Sequence, residues 1–389
     1  MKLAITVIFT AVVIGVVALL TAQQNESSGR GGWNREGAAK YLDERMDIWF
    51  TNANQLRTGQ AKTACVSCHM TVPYALARPV LRRVMNVTAP TTQEIRLLDA
   101  VKQRVETYSS HQLLYESSEG KKTESRGTEA VLNALVLANA EAGLSRGEFS
   151  EPIRKAFARL WETQRQDGAW DWIDSGLEPF ESADAEYHGV ALAAFAVGMI
   201  TGISPGWTPV MAAGIEKLRG FLRDRYSAQN LFNRTWALLA SIRLKDLLTQ
   251  AQRETLIVEI QGRQQSDGGW SLEALGPWRW SKSTPLFRAP GSLDTLLLKQ
   301  SDGYATGLIV YTLRAAGFPM DHPVVSKGLQ WLGASQRDVQ DGQHTWHAWR
   351  AYSLNFDREH GGKKGDMWPR FLMSDAATAF AVLALAAPD

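Results

Sequence analysis

The sequence predicts an all-α protein in which six helical hairpins close into an α6/α6 toroid. Six amphipathic segments begin near residues 36, 92, 152, 209, 251 and 323. Six segments that are nearly apolar on every side lie between them, and no strand-like alternation of useful length interrupts the series. A repeated pair of one exposed and one buried helix therefore predicts a ring of outer helices around a ring of inner helices.

Residues typical of helix N-termini mark the starts of the predicted outer helices. Thr91 lies three residues before Glu94, and Thr249 lies three residues before Gln252, which is the spacing of a capping box. Pro152 follows Glu151 at the start of the segment near residue 152. Pro209 and Pro323 likewise lie in the first turns of the segments near residues 209 and 323. Proline is favoured in the first helical turn, so these positions predict helix starts.

The predicted inner helices are rich in Ala and Gly. They comprise residues 74–84, 128–142, 184–200, 231–244, 302–316 and 375–387. A helix that is apolar on every face is buried, and small residues allow neighbouring helices to approach closely. We therefore expect these six segments to form the interior of one domain.

The first residues have the composition of an export signal. One lysine precedes an apolar run from Leu3 to Leu20, and a weak cleavage site ends near Ala22. This pattern predicts a signal peptide or a membrane anchor at residues 1–22, a polar linker at residues 23–35, and one domain at residues 36–389. The protein is therefore expected in the periplasm or otherwise outside the cytoplasm.

The composition excludes several classes of protein. The 389 residues carry a formal net charge of +2, with 45% hydrophobic and 21% charged residues. A chain of this kind is neither disordered nor a strongly basic nucleic-acid binder, so no nucleic-acid partner is expected. With 2 cysteines it has no disulfide framework.

A second repeat follows two of the outer helices. Gln164 and Trp170, and likewise Gln264 and Trp270, are separated by the same spacing, and each pair encloses an Asp-Gly dipeptide. A looser third copy includes Gln336 and Trp346. The first two copies resemble the QW motif of squalene-hopene and oxidosqualene cyclases, whose helical barrel is shared with protein prenyltransferase β subunits. The resemblance implies the toroid fold and a structural role for Gln164, Trp170, Gln264 and Trp270.

Both cysteines lie in the pentapeptide Cys65-Val66-Ser67-Cys68-His69. C-x-x-C-H is the attachment sequence of heme c, in which two thiols bind the porphyrin and the histidine binds the iron. Covalent attachment of heme c takes place outside the cytoplasm, where residues 1–22 would direct the chain. Cys65 and Cys68 are thus the expected attachment sites, and His69 is the expected axial ligand.

Other readings of this pentapeptide stay open at this point. Zinc would need a fourth ligand, which His344 or His347 could supply. A disulfide between the two cysteines would close a very short loop and would stabilise the fold little. The sixth ligand of a heme iron is undetermined, and Met85, His111 and His188 are the candidates.

Four acidic residues begin predicted inner helices and would meet at the mouth of a central cavity: Asp184, Glu186, Asp302 and Asp375. Class II triterpene cyclases use a D-x-D-D motif as the acid, and the nearest match here is D-A-E-Y at residues 184–187. The expected function is therefore electron transfer or oxidation of a bound apolar molecule by the heme, with a redox protein as the other expected partner. The alternative is a cyclase-like enzyme or a lipid-binding protein that uses the four acids, and membrane contact is compatible with both.

Overall fold

The computed structural model describes residues 32–55, 64–113, 115–142, 149–200, 208–278, 297–355 and 371–386. The signal or anchor expected at residues 1–22 lies outside these ranges, as does most of the linker expected at residues 23–35. Within the described ranges the protein is mostly helical, with twelve α-helices, two short 3-10 helices and one β-hairpin. No helix in this part of the chain is long and apolar enough to cross a membrane.

The helices alternate between two kinds in chain order. The odd-numbered helices are α1 (Arg35–Gln55), α3 (Thr92–Glu106), α5 (Glu151–Glu162), α7 (Pro209–Arg225), α9 (Gln250–Gly262) and α11 (Pro323–Ser335). The even-numbered helices are α2 (Thr71–Val84), α4 (Glu119–Glu141), α6 (Ala185–Ile200), α8 (Leu231–Arg243), α10 (Gly303–Ala315) and α12 (Leu372–Ala386). The 3-10 helices are Tyr226–Ala228 and Glu273–Leu275. Each odd-numbered helix begins within one residue of its predicted start.

Local capping explains several of these starts. Thr91 and Thr249 each form a complete capping box, in which the Thr hydroxyl accepts from the N3 backbone and the N3 side chain accepts in return. Thr208 caps α7 through its hydroxyl. Ser150 precedes α5 but makes no side-chain cap, because its hydroxyl donates to the Glu141 carboxylate instead.

Burial separates the two kinds of helix as the sequence predicts. Most residues of α6, α8, α10 and α12 are buried, and α2 and α4 each bury more than half of theirs. By contrast, α9 buries only Leu256 and Ile260 among its thirteen residues. The core of the domain therefore lies between the even-numbered helices, and the odd-numbered helices cover it.

The even-numbered helices contact one another in a closed order. In this order α2 packs against α4, α4 against α6, α6 against α8, α8 against α10, α10 against α12, and α12 against α2. Small residues allow the closest approaches. A Cβ atom at Gly307 of α10 would lie 2.6 Å from the Phe380 carbonyl carbon in the α12 backbone, so only glycine fits there.

The two complete QW-like turns have the same hydrogen bonds. Trp170 Nε1 donates to the Leu160 carbonyl at 2.7 Å, and Trp270 Nε1 donates to the Ile260 carbonyl at 2.8 Å. Each indole is buried and holds the turn against the last turn of the preceding odd-numbered helix. The Gln164 side chain donates to the Gly214 carbonyl of α7, and the Gln264 side chain donates to the Val324 carbonyl of α11. Each Gln thus ties its turn to the next odd-numbered helix.

The third copy differs from its expected form because a hairpin is inserted in it. Strands β1 (Arg337–Asp341) and β2 (His344–Ala348) pair antiparallel, so the expectation that no strand interrupts the helices was wrong here. Trp349 Nε1, and not Trp346 Nε1, donates to the carbonyl at the end of α11, that of Leu332. Trp346 donates to Glu44 of α1 instead.

The hairpin also determines the partners of two histidines. His344 contacts Glu44 at 2.9 Å, and His347 contacts Asp338 at 2.6 Å. Residues three apart on a strand point to opposite faces of the sheet, so the pair cannot ligate one metal as the turn of a helix would. Carboxylates from two different elements engage these histidines.

Candidate functional site

The C-x-x-C-H segment lies immediately before α2 and is held by its own short hydrogen bonds. Ser67 N donates to the Thr71 hydroxyl at 2.6 Å, and Ser67 Oγ accepts from the backbone N–H groups of Met70 and Thr71. Trp49 Nε1 donates to the Cys65 carbonyl at 3.0 Å. The segment is therefore fixed to both the start of α2 and helix α1.

Neither cysteine takes part in a disulfide, and the two are too far apart to form one. The disulfide alternative is therefore excluded. Cys65 is buried and Cys68 is partly exposed. Burial of the Cys68 thiol, together with the nearby Glu181 carboxylate, raises its pKa well above the usual range. The Cys68 thiol thus stays protonated at neutral pH, which limits its reaction with adventitious electrophiles.

His69 faces apolar rings. Its imidazole lies edge-on to the Trp49 ring at a centroid distance of 5.6 Å and lies 6.2 Å from the Phe180 ring. Two thiols and an adjacent imidazole are the donors that heme c requires, and a low-polarity surrounding suits a porphyrin. The side chains present here therefore fit that group. Among the described residues, no three His, Cys, Asp or Glu side chains are grouped so that they could hold a metal ion.

Phe180 belongs to an aromatic cluster to which α6, α8, α10 and α12 contribute, and it connects that cluster with this segment. We define the aromatic cluster as Trp172, Phe180, His188, Phe232, Trp236, Tyr304 and Phe380. Within it the His188 ring lies 5.0 Å from Trp236, 5.3 Å from Phe232 and 5.9 Å from Phe180. The Tyr304 ring lies 5.3 Å from the Phe380 ring, so residues from α6, α8, α10 and α12 meet here.

His188 is the one histidine of the aromatic cluster, and it is 1% exposed. Neither of its ring nitrogens has a hydrogen-bond partner among the described residues. Burial lowers its pKa to about 3, so the ring is neutral at physiological pH. The packing of this site is tight, because a Cβ atom on Gly189 would lie 2.3 Å from the Trp172 ring.

The structure places the four predicted acids in separate settings. Asp375 is 1% exposed and binds Arg45 through two hydrogen bonds of 2.7 and 2.8 Å, while the Tyr41 hydroxyl donates to the same carboxylate. Glu186 forms an ion pair with Arg165 at 2.5 Å. Both carboxylates are thus engaged by arginine.

The other two acids are at helix starts. Asp302 caps α10, and its carboxylate accepts from the backbone N–H groups of Tyr304, Ala305 and Leu272. Burial outweighs these three bonds and raises the Asp302 pKa to about 7. Asp184 is partly exposed and directly precedes α6, and its backbone carbonyl accepts from Asn233. Each of the four acids thus has partners of its own, and no contact between two of them is among those described above.

The structure places the three candidates for a sixth iron ligand in different surroundings. Met85 follows the end of α2, whose fourteen residues span about 20 Å from the C-x-x-C-H segment. The His111 ring bonds Glu129, whose pKa is lowered to about 2 because Arg104 and His111 outweigh its burial. His188 and His69 both lie near the Phe180 ring, at centroid distances of 5.9 and 6.2 Å. Of the three, His188 alone is part of the aromatic cluster.

Sequence reasoning did not identify the aromatic cluster. Its members come from five separate parts of the chain, and each looks like an ordinary core residue in its own segment. The available signal was the position of His188, Phe232 and Tyr304 close to the starts of apolar helices.

Comparison with protein-family profiles finds no match for this chain, and comparison with curated proteins finds no similar sequence.

Proposed function

We propose that this protein is an exported α6/α6 toroid that carries one covalent heme c at Cys65, Cys68 and His69. In this proposal it acts in electron transfer, or in the oxidation of an apolar molecule bound beside the heme. The observation that carries the proposal is the position of the C-x-x-C-H segment. Its histidine packs against Phe180, which belongs to the aromatic cluster of the helical core.

Three sets of contacts support a toroid. The even-numbered helices contact one another in a closed order from α2 to α12 and back to α2. All six of them contribute residues near their C-terminal ends to one pocket, as parallel inner helices around a common axis would. Finally, Gln336 bonds the backbone of Asn34 next to α1, just as Gln164 and Gln264 bond the next odd-numbered helix. The last helical pair is thereby joined to the first.

The roles of the chain's own residues follow from their surroundings. When bound, the heme would supply one-electron redox chemistry. Cys65 and Cys68 would tether it, and His69 would bind its iron, with the imidazole oriented by the Trp49 and Phe180 rings. The aromatic cluster would limit the access of water to the heme, and solvent exposure is one of the factors that set a heme's reduction potential.

Export is part of the proposal and is supported by the sequence of residues 1–22. A c-type heme is attached outside the cytoplasm, so the signal pattern and the C-x-x-C-H motif require the same compartment. The partner would be a redox protein or an apolar small molecule.

The alternative function, which depends on the four acids, receives less support. A strong catalytic acid must release its proton to the substrate, but Asp375 and Glu186 are paired with Arg45 and Arg165. Asp302 accepts three backbone hydrogen bonds as a helix cap. These contacts favour structural roles for the acids.

The proposal is tested by expressing the full chain in the periplasm together with heme c maturation proteins. The expected result is one heme per chain that stays attached in a denaturing gel and gives a c-type pyridine hemochrome spectrum. Cys65→Ser and Cys68→Ser are expected to prevent stable attachment at two vinyl positions.

Val66→Ala is the matched control, because it changes the same segment without removing a donor. It should retain full heme content. Protein that binds no heme under these conditions, or that binds zinc at the two cysteines, would overturn the proposal. If heme is bound, a reversible one-electron titration of the purified holoprotein tests electron transfer. Oxidation of an added apolar substrate tests the other function.

A further inference from the structure

A second site lies at the opposite end of the helical core from the C-x-x-C-H segment. It is an open pocket of about 520 Å³, lined by residues near the C-terminal ends of all six even-numbered helices. Helix α2 leads from the C-x-x-C-H segment to this pocket, and its fourteen residues span about 20 Å. The volume is in the range of pockets that bind small molecules.

The polar part of the lining is positively charged. Arg83, Arg243 and Arg314 lie around the pocket together with Asn139 and Tyr311. No acidic side chain among the described residues lines it. Guanidinium groups bind phosphate and carboxylate through paired hydrogen bonds, so the donors that converge here suit an oxyanion.

Two of these arginines are not engaged by a carboxylate in the described part of the chain. The neighbouring Arg82 shows the contrast, because it pairs with Glu94, whereas Arg83 has no carboxylate partner among the described residues. Arg243 lies over the Phe195 ring at 6.0 Å and beside the Tyr311 hydroxyl. Both Arg83 and Arg243 are exposed, so their head groups can move onto a ligand.

A structural role accounts for only part of this arrangement. Arginines in the last turn of a helix offset the negative end of its dipole, and Arg314 donates to the Ala384 carbonyl at the end of α12. The dipole effect is confined to the last turn and is screened at an exposed end. It does not explain why three arginines from α2, α8 and α10 surround one pocket that no acid of the described ranges lines.

The remaining lining is apolar and includes Leu76, Leu239 and Leu383. We propose that the pocket binds an amphipathic anion, whose phosphate or carboxylate head is held by Arg83 and Arg243 and whose apolar body contacts these leucines. This inference is independent of the heme, because it concerns the other end of the helical core.

The test measures binding of octyl phosphate to the full chain by isothermal titration calorimetry below its micellar concentration. Inorganic phosphate tests the head group alone, octanol tests the apolar body alone, and octanoate tests the carboxylate head. We expect octyl phosphate to bind at least 10-fold more tightly than inorganic phosphate, and octanol to show no saturable binding. Octanoate should bind within a few-fold of octyl phosphate.

Arg83→Gln and Arg243→Gln are each expected to weaken octyl phosphate binding at least 5-fold, and Arg243→Lys should keep part of it. Arg223→Gln is the matched control, because Arg223 is an exposed arginine in the last turn of the odd-numbered helix α7. It should bind as the unmodified protein does. The proposal is overturned if the Arg83 and Arg243 variants bind octyl phosphate as tightly as the unmodified protein does. It is also overturned if inorganic phosphate binds as tightly as octyl phosphate. Thermal unfolding of each variant shows whether it is folded.

Discussion

Replacement of His188 should remove a specific loss of stability at acidic pH. The unfolded chain holds a histidine of ordinary pKa, 6.5, whereas burial lowers the pKa of His188 in the folded protein to about 3. Between these two values the unfolded state binds the proton and the folded state does not. Protonation therefore favours unfolding as the pH falls from about 6.5 towards 3.

The size of the effect follows from the two pKa values. Each unit of pH below the unfolded pKa is worth about 1.4 kcal/mol, so His188 should lower the free energy of unfolding by about 2 kcal/mol at pH 5 relative to pH 7. Asp302 acts in the opposite direction. Its pKa is raised by burial to about 7, so the folded state takes up that proton first and gains stability as the pH falls.

The assay is urea unfolding at pH 7 and pH 5 for the unmodified protein and His188→Gln. Asp302 contributes equally to both, so the difference between the two pH dependences isolates His188. Phe232→Leu is the control, because it alters a ring beside His188 without removing a titratable group and should keep the pH dependence of the unmodified protein. The reasoning is refuted if His188→Gln and the unmodified protein lose the same stability between pH 7 and pH 5.

Three further predictions concern stability and are measured by urea or thermal unfolding. Asp375→Ala should cost about 3–5 kcal/mol because it removes the carboxylate that binds the buried Arg45 guanidinium, whereas Arg45→Met combined with Asp375→Leu should recover most of that loss. Thr91→Ala should cost about 1 kcal/mol through loss of the capping box, while the adjacent exposed Thr92→Ala should be neutral; equal effects would contradict the capping role. Gly307→Ala should cost about 1–3 kcal/mol because its Cβ meets the Phe380 backbone, and an unchanged stability would show that α10 and α12 are further apart.

Local patterns were sufficient to predict the helices. The capping boxes at Thr91 and Thr249 and the prolines in first turns depend on residues within one turn of each other, so they are visible in the sequence. The β-hairpin was missed because its strands have five residues each, too few to show a clear alternation. The insertion also shifted the third indole contact from Trp346 to Trp349.

Contacts between distant residues could not be predicted in the same way. Arg45 and Asp375 are 330 positions apart, and nothing near Asp375 indicates that an arginine of α1 neutralises it. The aromatic cluster depends equally on which helices become neighbours. The sequence therefore indicated the donors of the C-x-x-C-H segment but not the rings that His69 faces.

The bonds that join the hairpin and α12 to α1 make the first helix depend on the last part of the chain. Asn34 bonds Gln336, which follows it by 302 residues, and Glu44 accepts from Trp346 across the same separation. At roughly 5–20 residues per second of synthesis, about 15–60 s pass before the partners of α1 exist. Before then α1 can pack against α2 and α3 but lacks Gln336, Trp346 and Asp375, so the core cannot close until those residues have been synthesised.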